Sequence, residues 1–276
     1  MITIQNLIFS YKGRKVFDNL NLKIESGQIC GLLGKNGTGK TTLLYCISGL
    51  LFPKRGIINI LDHTPQKRQP TFLQEIFFVP EEFYLQGVTI DSFVKTNAAF
   101  YPKFSESQFN TYLAEFDIPV KNRLDEMSYG QKKKVLISFA LACNTSVLLL
   151  DEPTNGLDIL SKAQFKKVIA GITDNERTII ISTHQVKDLE NLIDRIIIIE
   201  DTGIIFDESM ETVGEKLAFK LSFDSEEKAA AIYTEESITG NAVVLPNHTN
   251  EENKIDLELL YKAVIMNRTV IKNLFQ

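Results

Sequence analysis

The sequence predicts an α/β fold in which a mainly parallel sheet carries a phosphate-binding loop. An antiparallel β subdomain, a helical subdomain and a small C-terminal α/β appendage are expected around it. Three observations lead there. Residues 34–41 read Gly-Lys-Asn-Gly-Thr-Gly-Lys-Thr and fit the pattern G-x-x-x-x-G-K-[ST]. A short apolar run precedes that loop at 28–33, and a helix-forming run follows at 41–47. Further apolar runs at 147–150, 178–182 and 196–199, separated by helical stretches, supply more buried strands.

The residue types in the loop suit the binding of phosphate. Gly34, Gly37 and Gly39, with Lys35, Asn36 and Thr38 between them, allow main-chain N–H groups to close around phosphate oxygens. Lys40 supplies a mobile ammonium for the outer phosphates, and the Thr41 hydroxyl can ligate Mg²⁺. The helix that opens with Thr41 and Thr42 turns its positive N-terminus toward them.

Bulk properties narrow the class. A chain of 276 residues, 44% hydrophobic and 24% charged, holds one large domain or a domain with an appendage. Its formal net charge of −5 argues against a general nucleic-acid binder. Cys30, Cys46 and Cys143 lack C-x-x-C spacing and sit in apolar segments, which reads as buried, reduced thiols in a cytoplasmic protein. The first seven residues lack the form of a signal peptide, and no apolar run reaches the length of a membrane span. Work at a membrane is therefore expected to go through a partner.

In chain order, residues 2–29 alternate apolar and polar positions between turns and read as a small antiparallel sheet. Tyr11 lies there, either as a ring that stacks on a nucleobase or as an ordinary half-buried strand residue. After the loop helix come strands at 57–61 and 75–79, the second stopped by Pro80 ahead of Glu81 and Glu82. Helices follow. Thr89 is placed to cap one, and Ser105 with Gln108 to form a capping box for the next. Phe109, Tyr112, Leu113 and Phe116 then repeat at helical spacing, read as core or subdomain packing, with a protein contact surface as the alternative.

Residues 127–131, Met-Ser-Tyr-Gly-Gln, open a further helix whose first turn carries Lys132, Lys133 and Lys134. Cations oppose the macrodipole at that end, so either an anion docks there or the lysines form a solvated face. The strand at 147–150 ends in Asp151 and Glu152. A carboxylate at that end of a core strand suits Mg²⁺, and its neighbour can orient and deprotonate a water. His184 lies just past the strand at 178–182, where ligand chemistry collects, with a surface histidine as the alternative. Beyond residue 215, Leu217, Phe219, Leu221 and Phe223 alternate like a strand, and helices are expected from 225 and 256.

Together these stretches resemble the ATP-binding cassette (ABC) ATPases, the motor subunits of membrane transporters, from about residue 2 to 215. Tyr11 matches the aromatic that stacks on adenine, and 34–41 the Walker A loop. Residues 127–131 look like the signature LSGGQ, and 147–153 match Walker B with its adjoining glutamate. The loop 154–158, ending in Asp158, and the run Ser182-Thr183-His184 complete the set. The resemblance implies a P-loop NTPase core at 1–215 with a helical subdomain at about 82–140, and leaves 216–276 as the appendage. Two positions depart from the family pattern. Tyr129 stands where glycine is usual, which leaves Ser128, Gly130 and Gln131 to face phosphate. Glu81 stands where most of the family has glutamine, as in some exporter-type cassettes.

The implied mechanism is ATP-driven pairing of two copies, head to tail. Each ATP is held between Walker A of one copy and Ser128, Gly130 and Gln131 of the other, beside Asp158. On this reading the lysine-rich helix start meets the γ-phosphate across the interface. Thr41 and Asp151 organise Mg²⁺, Glu81 lines the site, Glu152 is the general base, and His184 holds the γ-phosphate. The implied partners are a second ATPase subunit in a closed isologous dimer and an integral membrane permease subunit. The permease would hold the chain at the inner face of the cell membrane, with no direct nucleic-acid contact. The alternative is a soluble cassette ATPase acting on nucleic acid or ribosomes. Chromosome-maintenance and repair relatives carry a long coiled-coil insertion and ribosome-associated ones a second cassette, and this sequence shows neither. The presence of Asp151, Glu152 and His184 argues against a nucleotide-binding module without turnover.

Overall fold

The computed structural model describes residues 1–172, 177–237, 240–247 and 254–276. The N-terminal alternation becomes β1 (Ile2–Tyr11) and β2 (Arg14–Ile24), joined by a tight antiparallel turn. The chain then enters β3 (Ile29–Leu33), crosses the phosphate-binding loop into α1 (Lys40–Ile47), and returns as β4 (Arg55–Ile60) on the other side of β1. The first sheet is thus β2-β1-β4. A short α2 (Pro70–Leu73) leads to β5 (Ile76–Val79). The helical stretch comprises α3 (Ile90–Asn97), α4 (Glu106–Glu115) and α5 (Tyr129–Ala142). Alternation of strand and helix then resumes with β6 (Val147–Asp151), α6 (Ile159–Ala170), β7 (Thr178–Thr183) and β8 (Arg195–Glu200). A hairpin adds β9 (Gly203–Ser209).

The central sheet has the order β5-β6-β7-β3-β8-β9, parallel throughout except for the β8–β9 pair. Its strands are apolar on both faces because both faces are covered, as parallel sheets require. The two-residue period sorts their side chains. Leu148 and Leu150 of β6, Ile179 and Ile181 of β7, and Ile196 and Ile198 of β8 join one core. Val147, Leu149, Ile180, Ile197 and Ile199 join the other, together with α1 and the first sheet. The strand order places the ends of β3, β6 and β7 side by side, so the phosphate-binding loop, Asp151-Glu152 and His184 emerge along one edge.

In the helical stretch Thr89 caps α3 through the Ser92 N–H, and Ser105 caps α4 through the Gln108 N–H. The expected box at Ser105 is only half formed. The Gln108 side chain instead accepts from Asn144 Nδ2 at 2.6 Å. Phe109, Leu113 and Phe116 are buried, so the aromatic stripe is core. Its centre is Phe139 of α5, whose ring has Phe93, Tyr101, Phe104 and Phe109 within 5.1–6.3 Å.

After α7 (Met210–Lys216) the chain forms β10 (Leu217–Ser222), α8 (Ser225–Ala230), β11 (Tyr233–Ser237) and β12 (Gly240–Pro246). These strands make a third sheet, β10-β12-β11. The chain closes with α9 (Leu257–Met266) and α10 (Arg268–Phe275). Leu217 and Phe219 are buried, whereas Leu221 and Phe223, on the same alternation, are exposed. Leu260, Ala263, Val264 and Ile271 belong to the same apolar cluster as one face of the central sheet. Ion pairs fix the outside of the packing: Lys187 to Glu258 at 2.9 Å and Arg268 to Asp201 at 3.5 Å.

Candidate nucleotide site

The loop between β3 and α1 is shaped by what surrounds it. A Cβ on Gly34 would lie 2.5 Å from the Ile199 carbonyl oxygen, and one on Gly39, at φ +109°, 2.7 Å from Val16. Only glycine fits either position. Gly39 leaves α1 with no side-chain cap, so the first N–H groups of the helix are available to an anion. Lys40 is buried and folds back to donate to the Gly34 carbonyl at 2.7 Å, with Glu152 Oε1 3.9 Å away. Burial pushes its ammonium below the usual lysine range, while the charges of Glu152, Asp151 and Glu81 pull the other way. Lys35 reaches outward to Glu200 at 3.2 Å.

A cavity of about 450 Å³ opens over the loop, lined by Asn36 to Thr42, Glu81 and Glu152. Tyr11 stands at its edge, 45% exposed, with its hydroxyl 3.4 Å from Thr42 Oγ1 and its ring edge-on to Phe9. It is both the last residue of β1 and part of the cavity lining. Arg14, Lys15 and Asp201 complete the rim. Sequence reasoning missed these three, although the basic pair Arg14-Lys15 that opens β2 just after Tyr11 was a usable signal.

The two acids behave differently. Asp151 is buried, and burial raises its carboxyl above the ordinary range against hydrogen bonds from the Ser182 and Thr41 hydroxyls. Glu152 follows at φ +45°, a left-handed conformation that side chains resist. Its N–H donates to the Ser182 carbonyl, and its carbonyl accepts from Lys133 Nζ at 3.0 Å. Its carboxylate takes Thr183 Oγ1 at 2.9 Å, and the His184 N–H and Nδ1 at 3.0 and 2.8 Å. Thr183 and Ser182 thus support the acids, a role not foreseen for them.

Mg²⁺ passes a test of fit. Among the described residues no group of three His, Cys, Asp or Glu side chains stands ready to hold a metal. Mg²⁺ keeps several waters and uses one or two protein ligands beside phosphate. A buried Asp151 whose hydrogen-bond partners are neutral hydroxyls, one of them Thr41, matches that donor set.

The signature residues stand apart from this cavity. Ser128 and Gln131 cap α5 reciprocally, the Ser128 Oγ accepting from the Gln131 N–H and Gln131 Oε1 from the Ser128 N–H. Gly130 lies against the Gly156 carbonyl, and Asp158 caps α6 through the Ser161 N–H at 2.8 Å. Ser128, Gly130, Gln131 and Asp158 do not line the cavity over their own loop. The lysines at the start of α5 do not form the anion-facing cluster expected of them. Lys133 does not face an anion: its Nζ is buried and donates to the carbonyls of Glu152 and Asn155. Lys134 turns to Phe116 O and Gln164. At 100° per residue three consecutive lysines cannot share a face. Glu81 Oε1 accepts from Asn155 Nδ2 at 2.6 Å, which joins the strand end to the loop after Glu152.

Comparison with known proteins agrees with this geometry. The sequence profile described as ABC transporter matches residues 17–155. The chain is 30% identical to the ABC transporter ATP-binding protein YtrB of Bacillus subtilis, covering 82% of this chain and 78% of that one. It is also 30% identical to the lipopolysaccharide export system ATP-binding protein LptB of Haemophilus influenzae, over 74% and 89% of the two chains. The fold matches the dimeric post-hydrolysis structure of the ATP-binding cassette MJ0796 bound to ADP and phosphate. That match has a TM-score of 0.65, 24% identity, and coverage of 76% of this chain and 99% of that one. A phosphate-binding loop with acids and a histidine at one sheet edge, a profile spanning half the chain and a relative aligned over most of it have one reading: the chain belongs to the ABC transporter family, as an ATP-binding ATPase subunit.

Proposed function

We propose that two copies of this chain close around two ATP molecules, hydrolyse them at composite sites and so drive a membrane permease subunit. The observation that carries the reading is the separation of Ser128, Gly130 and Gln131 from the cavity above their own Walker A loop. A second subunit facing head to tail brings them to its partner's nucleotide, as a closed isologous pair requires. The MJ0796 cassette, a dimer with ADP and phosphate, supports the arrangement. Residues 1–215 form the nucleotide-binding unit, with 82–140 as its helical subdomain and 216–276 as an appendage sharing its core.

Within each site Tyr11 stacks on the base, and the amides of 34–42 with Lys40 take the phosphates. Thr41 and Asp151 would hold Mg²⁺, which when bound neutralises phosphate charge. Glu152 takes the proton of the attacking water. His184 reaches the γ-phosphate through its Nε2, since its Nδ1 faces Glu152. Glu81, paired with Asn155, carries the state of the site toward the helical stretch.

The permease contact is assigned to the groove of about 620 Å³ lined by Leu50, Leu73, Phe78, Phe100 and Tyr101. Phe100 is 67% exposed beside it, and Tyr84, on the neighbouring segment, 85%. Phe93 and Phe104 of the same stretch are turned away from it and pack on Phe139. No helix among the described residues is long and apolar enough to cross a membrane, so a membrane subunit supplies the span. Export is the favoured direction, supported by Glu81 and by the export system after which the LptB relative is named.

Glu152→Gln tests the reading. The amide keeps the shape and the contacts to Thr183 and His184 but cannot take a proton. Turnover should fall ~10²–10⁴-fold, with ATP binding kept and an ATP-dependent dimer seen by light scattering. Undiminished hydrolysis would remove Glu152 from the mechanism.

A further inference from the structure

The family departure at position 129 lies at the meeting point of three segments. The Tyr129 hydroxyl donates to the Glu81 carbonyl, and its ring stacks on Phe83 with centroids 5.0 Å apart and planes at 27°. The same ring lies against Gly156, where an added Cβ would stand 3.6 Å from it. Lys133, one turn further along α5, has its Nζ 5.5 Å from the ring centroid and donates to the Glu152 and Asn155 carbonyls. Glycine at this position could make none of the ring or hydroxyl contacts.

We infer that Tyr129 is a positioning residue for ATP hydrolysis, a tether that joins the start of α5 to the Glu81 segment and the loop after Glu152 within one subunit. The inference rests on the composite-site reading above. In that arrangement Ser128 and Gly130 meet the partner's nucleotide, while Glu81 and Glu152 line the cavity over the subunit's own loop. The reciprocal cap between Ser128 and Gln131 makes the first turn of α5 stiff, so a shift imposed on Ser128 is carried to Tyr129. From there it passes to Glu81 through the hydroxyl and to Glu152 through Lys133. Occupancy of one site thereby sets the geometry of the other. Burial and the charges of Glu81 and Glu82 hold the phenol proton in place, so the hydroxyl remains a donor.

Two variants separate the parts of the tether. Tyr129→Phe removes the hydroxyl and keeps the ring, while Tyr129→Gly restores the family residue and removes both. Deuterium exchange of the amides around Glu81–Tyr84 should rise about 2- to 12-fold in Tyr129→Phe, the worth of one hydrogen bond. Turnover should fall by a similar factor, KM for ATP should stay within about twofold, and the Hill coefficient for ATP should drop toward one. Tyr129→Gly should exceed Tyr129→Phe in each effect. Faster exchange with unaltered turnover and cooperativity would reduce Tyr129 to a structural contact and overturn the inference. So would unchanged exchange. Wild type and Glu152→Gln are assayed alongside: turnover present in the first and lost in the second shows that the hydrolytic reading stands whatever position 129 does. Absence of turnover in wild type would refute that reading instead, and any positioning role with it.

Discussion

Replacing Lys133 by methionine tests how Glu152, the proposed general base, is held. The lysine has no exposed surface, and its Nζ donates to the carbonyls of Glu152 at 3.0 Å and Asn155 at 2.9 Å. Methionine keeps the unbranched length and removes the donor and the charge. Two hydrogen bonds from a charged donor are worth roughly 3–6 kcal/mol. Relief of the buried ammonium returns several kcal/mol of desolvation. The balance at neutral pH is a loss of about 1–3 kcal/mol, or a fall in Tm of roughly 2–5 °C for a chain of this size. Turnover should suffer more than stability. Glu152 occupies a left-handed conformation that costs on the order of 1–3 kcal/mol, and without Lys133 the turn has less to hold it there. ATP hydrolysis should drop at least ~10-fold while ATP binding persists.

The pH dependence of the same pair has a fixed sign. Burial depresses the Lys133 ammonium below 10.5, against the raising effect of Glu81, Glu152 and Asp151. Between the depressed value and 10.5 the unfolded chain therefore binds more protons than the folded one, so stability from this group rises with pH. The neutral amine still has donors for both carbonyls. Lys40 shifts in the same direction but is present in both proteins and cancels. Calorimetry of wild type and Lys133→Met should show the wild-type advantage in Tm growing as pH rises from the depressed value toward 10.5. A constant difference, or unchanged hydrolysis, would refute the reasoning.

Two further outcomes are expected. Tyr11→Ala should weaken ATP and GTP binding alike by about 1–3 kcal/mol, because a ring face does not distinguish purines; equilibrium binding that is unaltered in a folded variant would return Tyr11 to a plain strand role. Tyr84→Ala and Phe100→Ala should leave the ATPase activity of the isolated chain within about twofold while weakening co-purification with the membrane subunit. Retention of the complex in both would place the docking surface elsewhere.

The candidate site was legible as a location because the residues proposed for it are contiguous runs at strand ends. Gly34 to Thr41, Asp151-Glu152 and His184 each sit where a parallel strand delivers them, and a strand is readable from its apolar run. What escaped was assembled across the chain. Arg14 and Lys15 reach the cavity from the start of β2 and Asp201 from the turn between β8 and β9, in two different sheets. Lys133 was read with its neighbours as one cationic patch, although helix geometry sends it inward and Lys134 to Gln164. The edge strand β9 was missed because its sequence, from Gly203 to Ser209, gives no clean alternation. The half-formed box at Ser105 failed because Asn144, distant in sequence, claims the Gln108 side chain. The tether at Tyr129 was unreadable for the same reason: its partner is a backbone carbonyl 48 residues away.

The sharing of one apolar cluster between the central sheet and the last helices has a consequence for the chain during its synthesis. Phe275 packs edge-on to Phe206 of β9, and Ile271 and Val264 lie in the cluster that covers one face of β6, β7 and β8. When Ser209 leaves the ribosome every strand of the central sheet exists, yet part of its covering does not. Translation of residues 217–276 takes roughly 3–12 s at ~5–20 residues per second. For that interval Phe206 of β9 and the turn Val186–Leu189 lack the packing that α10 and α9 supply. The nascent cassette therefore depends on chaperone protection or prompt completion, and premature termination within those last helices is expected to yield aggregates rather than a working motor without its appendage.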